Sequence, residues 1–272
     1  MDLKLLNYNV LDIEFYKKNY NHFNSKHTKN DIFLHWLKHG EKEGCVLNLQ
    51  QLNNRYELNV KHTNELLELL EYKENNKIEF NILIRTSERP EYFKECLESI
   101  KDQKFTGKVN IYVCYDTVNT LNYLKKYEGI NLIFYEKIYK PYNFNLYCNK
   151  LLDQVKEGWI IFMDDDDKFI NNNCLQIISA EIKDDKDLII WNFLRPDKII
   201  TPKENFIKGQ IDTTCFCFNH KYKNKSNWIA ERCSDFYFFK NLDKNVKFNK
   251  KFIEVSLVRT IYSDFVASYS GK

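Results

Sequence analysis

From residue 80 onward, short apolar runs alternate with amphipathic helical patterns, and this alternation constrains the fold more than any other feature. The runs 80–84, 109–115, 131–135 and 159–163 are predicted strands, and the segments between them carry apolar residues at helical spacing. A strand–helix–strand order requires a mostly parallel sheet covered by helices. The sequence therefore predicts an α/β fold, in which ligands bind at the carboxyl ends of the strands.

The first part of the chain has a different pattern. Apolar and aromatic residues recur at three- and four-residue intervals between residues 12 and 48, which predicts two short helices, and a third helix is predicted over 55–74. The polar run 73–77 then predicts a linker. We therefore predict a small all-α module with its linker at 1–77 and an α/β domain at 78–272.

The composition is that of a globular chain. Of the 272 residues, 43% are apolar, and 41 basic side chains nearly balance 38 acidic ones, which excludes a disordered or fibrous chain. The lysines are dispersed, so we expect a solvated surface and no nucleic-acid partner. The apolar runs are much shorter than the ~20 residues that cross a bilayer, so no membrane span is expected.

The cysteines and the amino terminus bear on the cellular compartment. The eight cysteines are scattered through apolar stretches, which is typical of buried thiols in a reducing environment and not of a disulfide scaffold. The residues after Met1 lack a basic segment followed by an apolar core, so no secretory signal is expected. Together these features predict a cytoplasmic protein.

Four consecutive acids, Asp164, Asp165, Asp166 and Asp167, directly follow the last predicted strand. Adjacent carboxylates repel each other and raise one another's pKa values unless a cation is present. Hard oxygen ligands at a strand end suit Mg²⁺ or Mn²⁺, which also bind substrate phosphates. The alternative interpretation is that Asp167 caps a following helix while the other acids are solvated.

Three segments carry a family resemblance: FNILIRTSERPEYFKECLESI, VNIYVCYD and NFNLYCNKLLDQVKEGWIIFMDDDDKF, which span about residues 78–170. Together they resemble the nucleotide-sugar-binding half of family 2 glycosyltransferases with the GT-A fold. The earlier stretch DIEFYKKNYNHF, followed by HWLKHGEKEGCVLN, resembles a small helical module attached to some glycosyltransferases. The resemblance implies that 78–170 binds a nucleotide sugar, such as a UDP-sugar, and that 171–272 forms the acceptor half.

The resemblance also implies roles for individual acids. Asp116, at the end of the second predicted strand, is expected near the nucleoside, and Asp164 and Asp166 match the family's D-x-D pair. In that motif the later acid usually contacts the metal directly, so Asp166 is the expected ligand of Mn²⁺ or Mg²⁺. A bound cation would neutralise the departing diphosphate, where negative charge develops during transfer.

Polar residues on neighbouring segments extend the predicted donor site. Arg85 and Arg89 lie in the loop after the first strand and are expected to approach the base or the phosphates, unless they are surface arginines beside a helix start. Asn145 and Asn149 are four residues apart on one predicted helix face, which in this family points toward the acids; the alternative is a solvent-facing pair. The full predicted donor set is Arg85, Thr86, Arg89, Asp116, Asn145, Asn149, Asp164 and Asp165.

An acceptor hydroxyl needs a general base. In the resembling families an acid downstream of the D-x-D pair supplies it, and here the matching stretch 228–236 offers Asp235 as the predicted base and Glu231 as the second choice, without the family's glycines. The stretch 209–218 reads as an alternating strand that leads into the acceptor side. Asp212 and Trp228 are the predicted acceptor-binding residues.

The predicted function is therefore a metal-dependent glycosyltransferase that moves a sugar from a nucleotide sugar to a hydroxyl of a glycan, protein or lipid. Inversion follows from the family resemblance, and the absence of a Q-x-x-R-W pattern favours a single addition. A nucleotidyltransferase is the second enzyme candidate, but residues 85–89 lack its glycine-rich phosphate loop. A catalytically silent carbohydrate-binding or scaffolding protein remains as a third hypothesis, which predicts that Asp235 lies far from the acidic run.

Overall fold

The computed structural model describes residues 10–20, 23, 26–40, 45–136 and 141–260 of the chain. These residues form two compact units, whose boundary in the sequence lies between Lys61 and His62, with residues 196–198 belonging to the first unit. The helices are α1 (Ile13–Asn19), α2 (Lys29–His35), α3 (Leu49–Leu69), α4 (Pro90–Lys101), α5 (Val118–Leu124), α6 (Tyr147–Gln154), α7 (Cys174–Glu181) and α8 (Ser234–Val246).

The first unit contains α1, α2 and the beginning of α3. Asp12 caps α1 by accepting a hydrogen bond from the Phe15 N–H at 2.9 Å, and Thr28 forms a capping box with Asp31 at the start of α2. Six buried apolar residues of this unit form their own cluster, composed of Leu11, Tyr16, Ile32, Phe33, Trp36 and Leu47. Amphipathic helices that cap locally and share one core therefore form the predicted helical region.

Helix α3 begins six residues before the predicted start at residue 55. The Asn48 side chain accepts a hydrogen bond from the Gln51 N–H at 2.9 Å, and the Gln51 side chain accepts one from the Leu47 N–H at 2.9 Å. These two bonds satisfy backbone donors around the helix start, so the helix extends back to Leu49. Asn48 was not identified as a cap in the sequence.

The second unit is built on a nine-stranded sheet. Its strand order is β3-β2-β1-β4-β8-β6-β9-β5, with β7 pairing to β6. The strands are β1 (Glu79–Arg85), β2 (Lys108–Tyr115), β3 (Ile130–Phe134), β4 (Trp159–Asp164), β5 (Asp167–Phe169), β6 (Asp187–Leu194), β7 (Ile199–Ile200), β8 (Phe216–Asn219) and β9 (Asn249–Thr260). The predicted α/β fold with flanking helices is confirmed.

The first four strands are parallel, whereas the strands beyond β4 pair in both directions. β8 runs antiparallel to β4 and β6, β9 is parallel to β6, and β5 pairs antiparallel to the end of β9. The sheet is therefore mixed in its second half. Apolar side chains of β4 and β6 are buried on both faces, as expected for strands covered by helices on each side.

Three sequence expectations differ from the structure. Only Phe216–Asn219 is a strand within the predicted strand 209–218, because Asp212 turns the chain by accepting from the Thr213 N–H and, through its carbonyl, from the Cys215 N–H. The predicted helix 143–156 is a 3₁₀ turn, Asn143–Leu146, followed by α6. Asp167 caps no helix, because it begins β5 and pairs with Thr260.

The structure also bears on the cysteines and on membrane-spanning helices. Within the described ranges no disulfide links the eight cysteines, and six of them are buried. Among the described residues, no helix combines the length and the apolar character that crossing a bilayer requires.

Candidate active site

The parallel strands bring polar residues to one edge of the sheet. Arg85 ends β1, Asp164 ends β4, and the two residues are direct neighbours across the strand pair. Asp116 follows β2, the strand on the other side of β1. This edge is the carboxyl end of the strands, where ligands bind in such folds.

Arg85 forms a two-pronged ion pair with Asp164. Its Nε lies 2.5 Å from Oδ1 and its Nη2 lies 2.8 Å from Oδ2 of Asp164. Nη1 also donates to Asn145 Oδ1 at 2.7 Å, and Nη2 lies 3.4 Å from Thr213 Oγ1. Burial lowers the pKa of Arg85, but the charge and hydrogen bonds of Asp164 together with other acidic neighbours raise it further than burial lowers it, so the guanidinium remains a permanent cation in the site.

Arg89 neutralises the middle of the acidic run. Its guanidinium is ion-paired with Asp165, and its Nη1 lies 3.0 Å from Asp166 Oδ2. Thr86 Oγ1 donates to Asp165 Oδ2 at 2.6 Å. Burial, followed by the charge of Asp166, raises the pKa of Asp165 to about 7, even though Arg89 opposes the shift. Asp165 thus anchors the loop after β1.

Asp164, Asp166 and Asp167 together offer a candidate cation site. Each can provide a carboxylate oxygen such that these oxygens all lie within 4.8 Å of one another. Burial is the main cause that raises the pKa of Asp166 and of Asp167, and neighbouring acids raise both further. A set of hard oxygen donors whose charges are not fully balanced fits Mg²⁺ or Mn²⁺.

Asp167 was not named as a metal ligand in the sequence, although it belongs to the acidic run for which a cation was predicted. The D-x-D pattern singled out Asp164 and Asp166, and capping of a following helix by Asp167 was the alternative interpretation. Its position is fixed by pairing between β5 and β9, two segments far apart in the chain. The only local signal was its membership in an unbroken acidic run.

The two asparagines of the predicted donor set have different contacts. Asn145 is buried in the 3₁₀ turn, where it accepts from Arg85 and donates through Nδ2 to the Glu231 carbonyl at 2.9 Å. Asn149 lies in α6 and bonds both backbone groups of Trp228, at 2.8 and 2.9 Å. Asn145 thus lies in the turn and Asn149 in the helix that follows it, and both side chains bond the segment 228–231, which precedes α8.

Asp235 lies in the first turn of α8 and interacts electrostatically with the acidic cluster. Burial, followed by the charge of Asp212, raises the pKa of Asp235 to about 7, and the charges of Arg85 and Asp164 also act on it. Asp212 is itself ion-paired with Arg195 at 2.6 Å. The structure therefore brings Asp235 and Asp212 together with the residues at the sheet edge.

Glu231 and Trp228 contribute differently from the sequence expectation. Glu231 is exposed, and its backbone carbonyl is the group bonded to Asn145. Trp228 is 2% exposed, and its ring packs on those of Phe162 and Phe238 with centroids 5.0 Å away in each case. The indole is therefore part of the hydrophobic core and presents no open face to an acceptor.

Asp116 is buried at the end of β2. Its Oδ2 accepts a hydrogen bond from the Tyr147 hydroxyl at 2.7 Å. Burial and the neighbouring Asp116 carboxylate raise the pKa of Tyr147, so this hydroxyl keeps its proton as a donor. Tyr147 was not recognised in the sequence, where it appeared as one more apolar position on a helix.

Three loops around the site contain a non-glycine residue in the left-handed region of backbone space. Glu88 (φ 54°) precedes Arg89, Tyr142 (φ 59°) precedes the 3₁₀ turn, and Cys233 (φ 62°) directly precedes α8. Such residues cost about 1–2 kcal/mol each unless they are glycine. Backbone strain of this kind is concentrated at functional sites in many proteins.

Comparison with known proteins supports this picture of the fold. The family model described as glycosyl transferase family 2 matches residues 81–249. No match is found among curated proteins. The crystal structure of S. aureus TarS 1–349 matches with a TM-score of 0.55 and 17% identity, covering 68% of this chain and 60% of that chain.

The same TarS fragment has also been solved with two ligands. Its complex with UDP matches with a TM-score of 0.56 and 17% identity, covering 68% of this chain and 61% of that one. Its complex with UDP-GlcNAc matches with a TM-score of 0.56 and 16% identity, covering 69% and 59%. The matched part of this chain thus corresponds to about three fifths of the TarS fragment, and the similarity concerns the fold.

The family match starts within β1 and ends at the first residue of β9. It covers more than half of the chain, including β2 to β8, the acidic run and the helix that carries Asp235. The chain therefore belongs to glycosyl transferase family 2 and has the GT-A fold.

Proposed function

We propose that the protein is a metal-dependent, inverting and non-processive glycosyltransferase that uses a UDP-sugar as donor. The observation that carries this proposal is the electrostatic contact of Asp235 with Arg85 and Asp164, because it brings a carboxylate with a pKa near neutrality to the donor edge of the sheet. A general base works best when its pKa lies near the working pH.

In the proposed reaction, Asp235 removes the proton from an acceptor hydroxyl. The hydroxyl oxygen forms a bond to the anomeric carbon of the sugar, and the bond from that carbon to the diphosphate oxygen breaks. The bonding electrons leave with the nucleoside diphosphate, and Asp235 retains the proton until it is lost to solvent. A single displacement of this kind inverts the anomeric carbon.

Asp164, Asp166 and Asp167 would hold Mn²⁺ or Mg²⁺ through their grouped carboxylate oxygens. Such a cation supplies Lewis acidity at the diphosphate. Arg85 and Arg89 add fixed positive charge on the same side, and each is already oriented by an acid of the cluster. The arginines would therefore bind the donor without a large reorganisation.

The nucleoside end of the donor would lie at Asp116, with Thr86 and the asparagines on either side of the diphosphate. The titles of the TarS complexes name UDP and UDP-GlcNAc, which supports a uridine nucleotide as the donor class here. Residues 78–170 would then form the donor half and 171–272 the acceptor half, with Asp212 near the acceptor. The acceptor is a hydroxyl of a glycan, protein or lipid, and the free thiols support a reducing, cytoplasmic compartment.

The test combines binding with turnover. Thermal unfolding is recorded with UDP in the presence of Mn²⁺ or EDTA, and sugar release from UDP-glucose, UDP-galactose and UDP-GlcNAc is followed in parallel. We expect UDP to raise the melting temperature only with Mn²⁺, and Asp166→Ala to abolish both this shift and sugar release. Undiminished release by Asp166→Ala would refute the metal role, and UDP binding without turnover of any donor would favour a silent binding protein.

A further inference from the structure

Phe144 is an exposed aromatic residue beside the acidic cluster. It lies on the 3₁₀ turn between Asn143 and Leu146, and 49% of its surface is accessible. The Arg85 guanidinium carbon lies 4.9 Å from the centroid of its ring. Burial of a large apolar side chain stabilises a fold, so the exposure of the Phe144 ring next to charged groups requires an explanation.

The backbone that carries Phe144 is held on both sides. The neighbouring Asn145 is 5% exposed, and its side chain bonds Arg85 on one side and the Glu231 carbonyl on the other. Tyr142, which precedes the turn, has a left-handed backbone conformation. An aromatic ring on such a fixed turn loses little conformational entropy when it contacts a ligand.

The turn that carries Phe144 is also bonded to the segment that carries the proposed base. The bond from Asn145 to Glu231 joins the turn to the segment 229–235, which ends at the proposed base. Ile229, in the same segment, is 36% exposed and adds a second apolar surface. The donor-side residues Asp116 and Thr86 are instead buried at the ends of β2 and β1.

We propose that Phe144 is an acceptor-binding residue against which the apolar face of a pyranose ring packs. The acceptor hydroxyl would then belong to a cyclic sugar and not to an open-chain polyol or a hydroxyl amino acid. One face of a pyranose presents several C–H groups, which are attracted by the negative face of an aromatic ring. This inference rests on the proposed role of Asp235, since that residue defines the acceptor side.

The test measures acceptor binding directly, without turnover. Saturation-transfer NMR is recorded on the full chain with saturating UDP and diamagnetic Mg²⁺, using the methyl β-pyranosides of glucose, galactose and N-acetylglucosamine, with sorbitol as the open-chain probe. We expect at least one pyranoside to bind more tightly than sorbitol. Phe144→Ala should weaken pyranoside binding by about five- to tenfold, corresponding to the loss of one aromatic contact, and should leave sorbitol unaffected.

Two further variants distinguish ring packing from a structural effect. Phe144→Trp, which keeps an aromatic face, should retain pyranoside binding, and Leu66→Ala, which removes a 55% exposed side chain of α3, should change nothing. Equal loss of sorbitol and pyranoside, unchanged binding in Phe144→Ala, or no pyranoside binding by the wild type would overturn the proposal. A parallel loss of UDP affinity in Phe144→Ala would also overturn the proposal, because Phe144 would then act through Arg85.

Failure of the inference is separable from failure of the proposed function. If the wild type shows no Mn²⁺-dependent UDP binding, or if Asp235→Asn still transfers sugar, the proposed function is wrong. If UDP binding depends on Mn²⁺ and Asp235→Asn is inactive, but the pyranoside-binding measurements contradict the expectation, only the role of Phe144 is wrong.

Discussion

Arg85 binds both carboxylate oxygens of Asp164, with Nε–Oδ1 and Nη2–Oδ2 distances of 2.5 and 2.8 Å. The two residues end neighbouring parallel strands at the same level, so the pairing follows from the register of β1 and β4. It places a fixed positive charge beside the three acids of the candidate cation site.

Removal of this charge should destabilise the protein in a metal-dependent way. We expect Arg85→Met to lower the free energy of unfolding by about 3 kcal/mol, because it leaves a half-buried carboxylate without its partner. Mn²⁺ should compensate part of this loss, so its stabilising effect should be larger in the variant than in the wild type. Denaturant unfolding with Mn²⁺ or EDTA measures this, with Arg85→Lys as the charge-preserving control. An equal or smaller effect of Mn²⁺ in Arg85→Met would contradict the prediction.

Two acids of the run, Asp165 and Asp167, should respond differently to replacement by asparagine. Asp167→Asn is expected to weaken Mn²⁺ binding by at least about tenfold, since even outer-shell changes at metal sites cost that much. It should preserve stability, because burial already raises the pKa of this carboxyl and disfavours its charge. Asp165→Asn should instead reduce stability through loss of its Arg89 and Thr86 contacts, while keeping Mn²⁺ affinity.

The electron paramagnetic resonance signal of free Mn²⁺ measures both affinities, and thermal unfolding measures both stabilities. If Asp165→Asn weakens Mn²⁺ binding more than Asp167→Asn does, the assignment of the ligands is incorrect.

Asp235→Asn should abolish activity and raise the melting temperature, and the rise in melting temperature should depend on pH. Burial raises the pKa of Asp235 from the ordinary 3.8 to about 7 in the folded chain. The folded state therefore binds the proton more tightly than the unfolded state, and stability declines as the pH rises from about 4 to about 7. The uncharged asparagine avoids this decline, so its advantage in melting temperature should grow over that range and stay constant above it.

In the wild type, kcat/KM should fall below about pH 7, as the proposed base becomes protonated. Melting curves of both proteins between pH 4 and pH 9 and a pH–rate profile of the wild type test the two expectations. A constant difference in melting temperature across the range would show that the carboxyl is not perturbed by burial.

Cys233 offers a test of backbone strain. Its φ of 62° is favourable for glycine and unfavourable for other residues. We expect Cys233→Gly to raise the free energy of unfolding by about 0.5–1 kcal/mol, because relief of strain exceeds the entropy that glycine adds to the unfolded chain. Cys233→Ala retains the strain and should give no gain. Chemical denaturation of the two variants and the wild type measures these free energies, and an equal gain in both variants would contradict the prediction.

Local patterns in the sequence were sufficient to predict the donor half of the fold. Apolar runs and helical spacing identified β1, β2, β3 and β4, and the polar residues at the ends of β1, β2 and β4 meet at one edge because parallel strands align their carboxyl ends. The sequence also identified Asp235, which interacts electrostatically with the residues at that edge.

The features that were missed depend on contacts between distant segments. The position of Asp167 depends on β9, whose pairing with β5 leaves no local signal. Trp228 was predicted to bind an acceptor, but the packing of Phe162 and Phe238 buries it, while Phe144 on the 3₁₀ turn remains exposed. Exposure of an aromatic ring is decided by tertiary packing, which periodicity does not report.

The pairing of Asp167 with Thr260 places the end of β9 beside the candidate cation site. A fluorophore attached to residue 260 itself would therefore lie next to these acids. Labels for single-molecule or pull-down work are better placed on the solvent face of α7, for example at Glu181, and a protease cut just before β9 should abolish metal binding while leaving the four parallel strands intact.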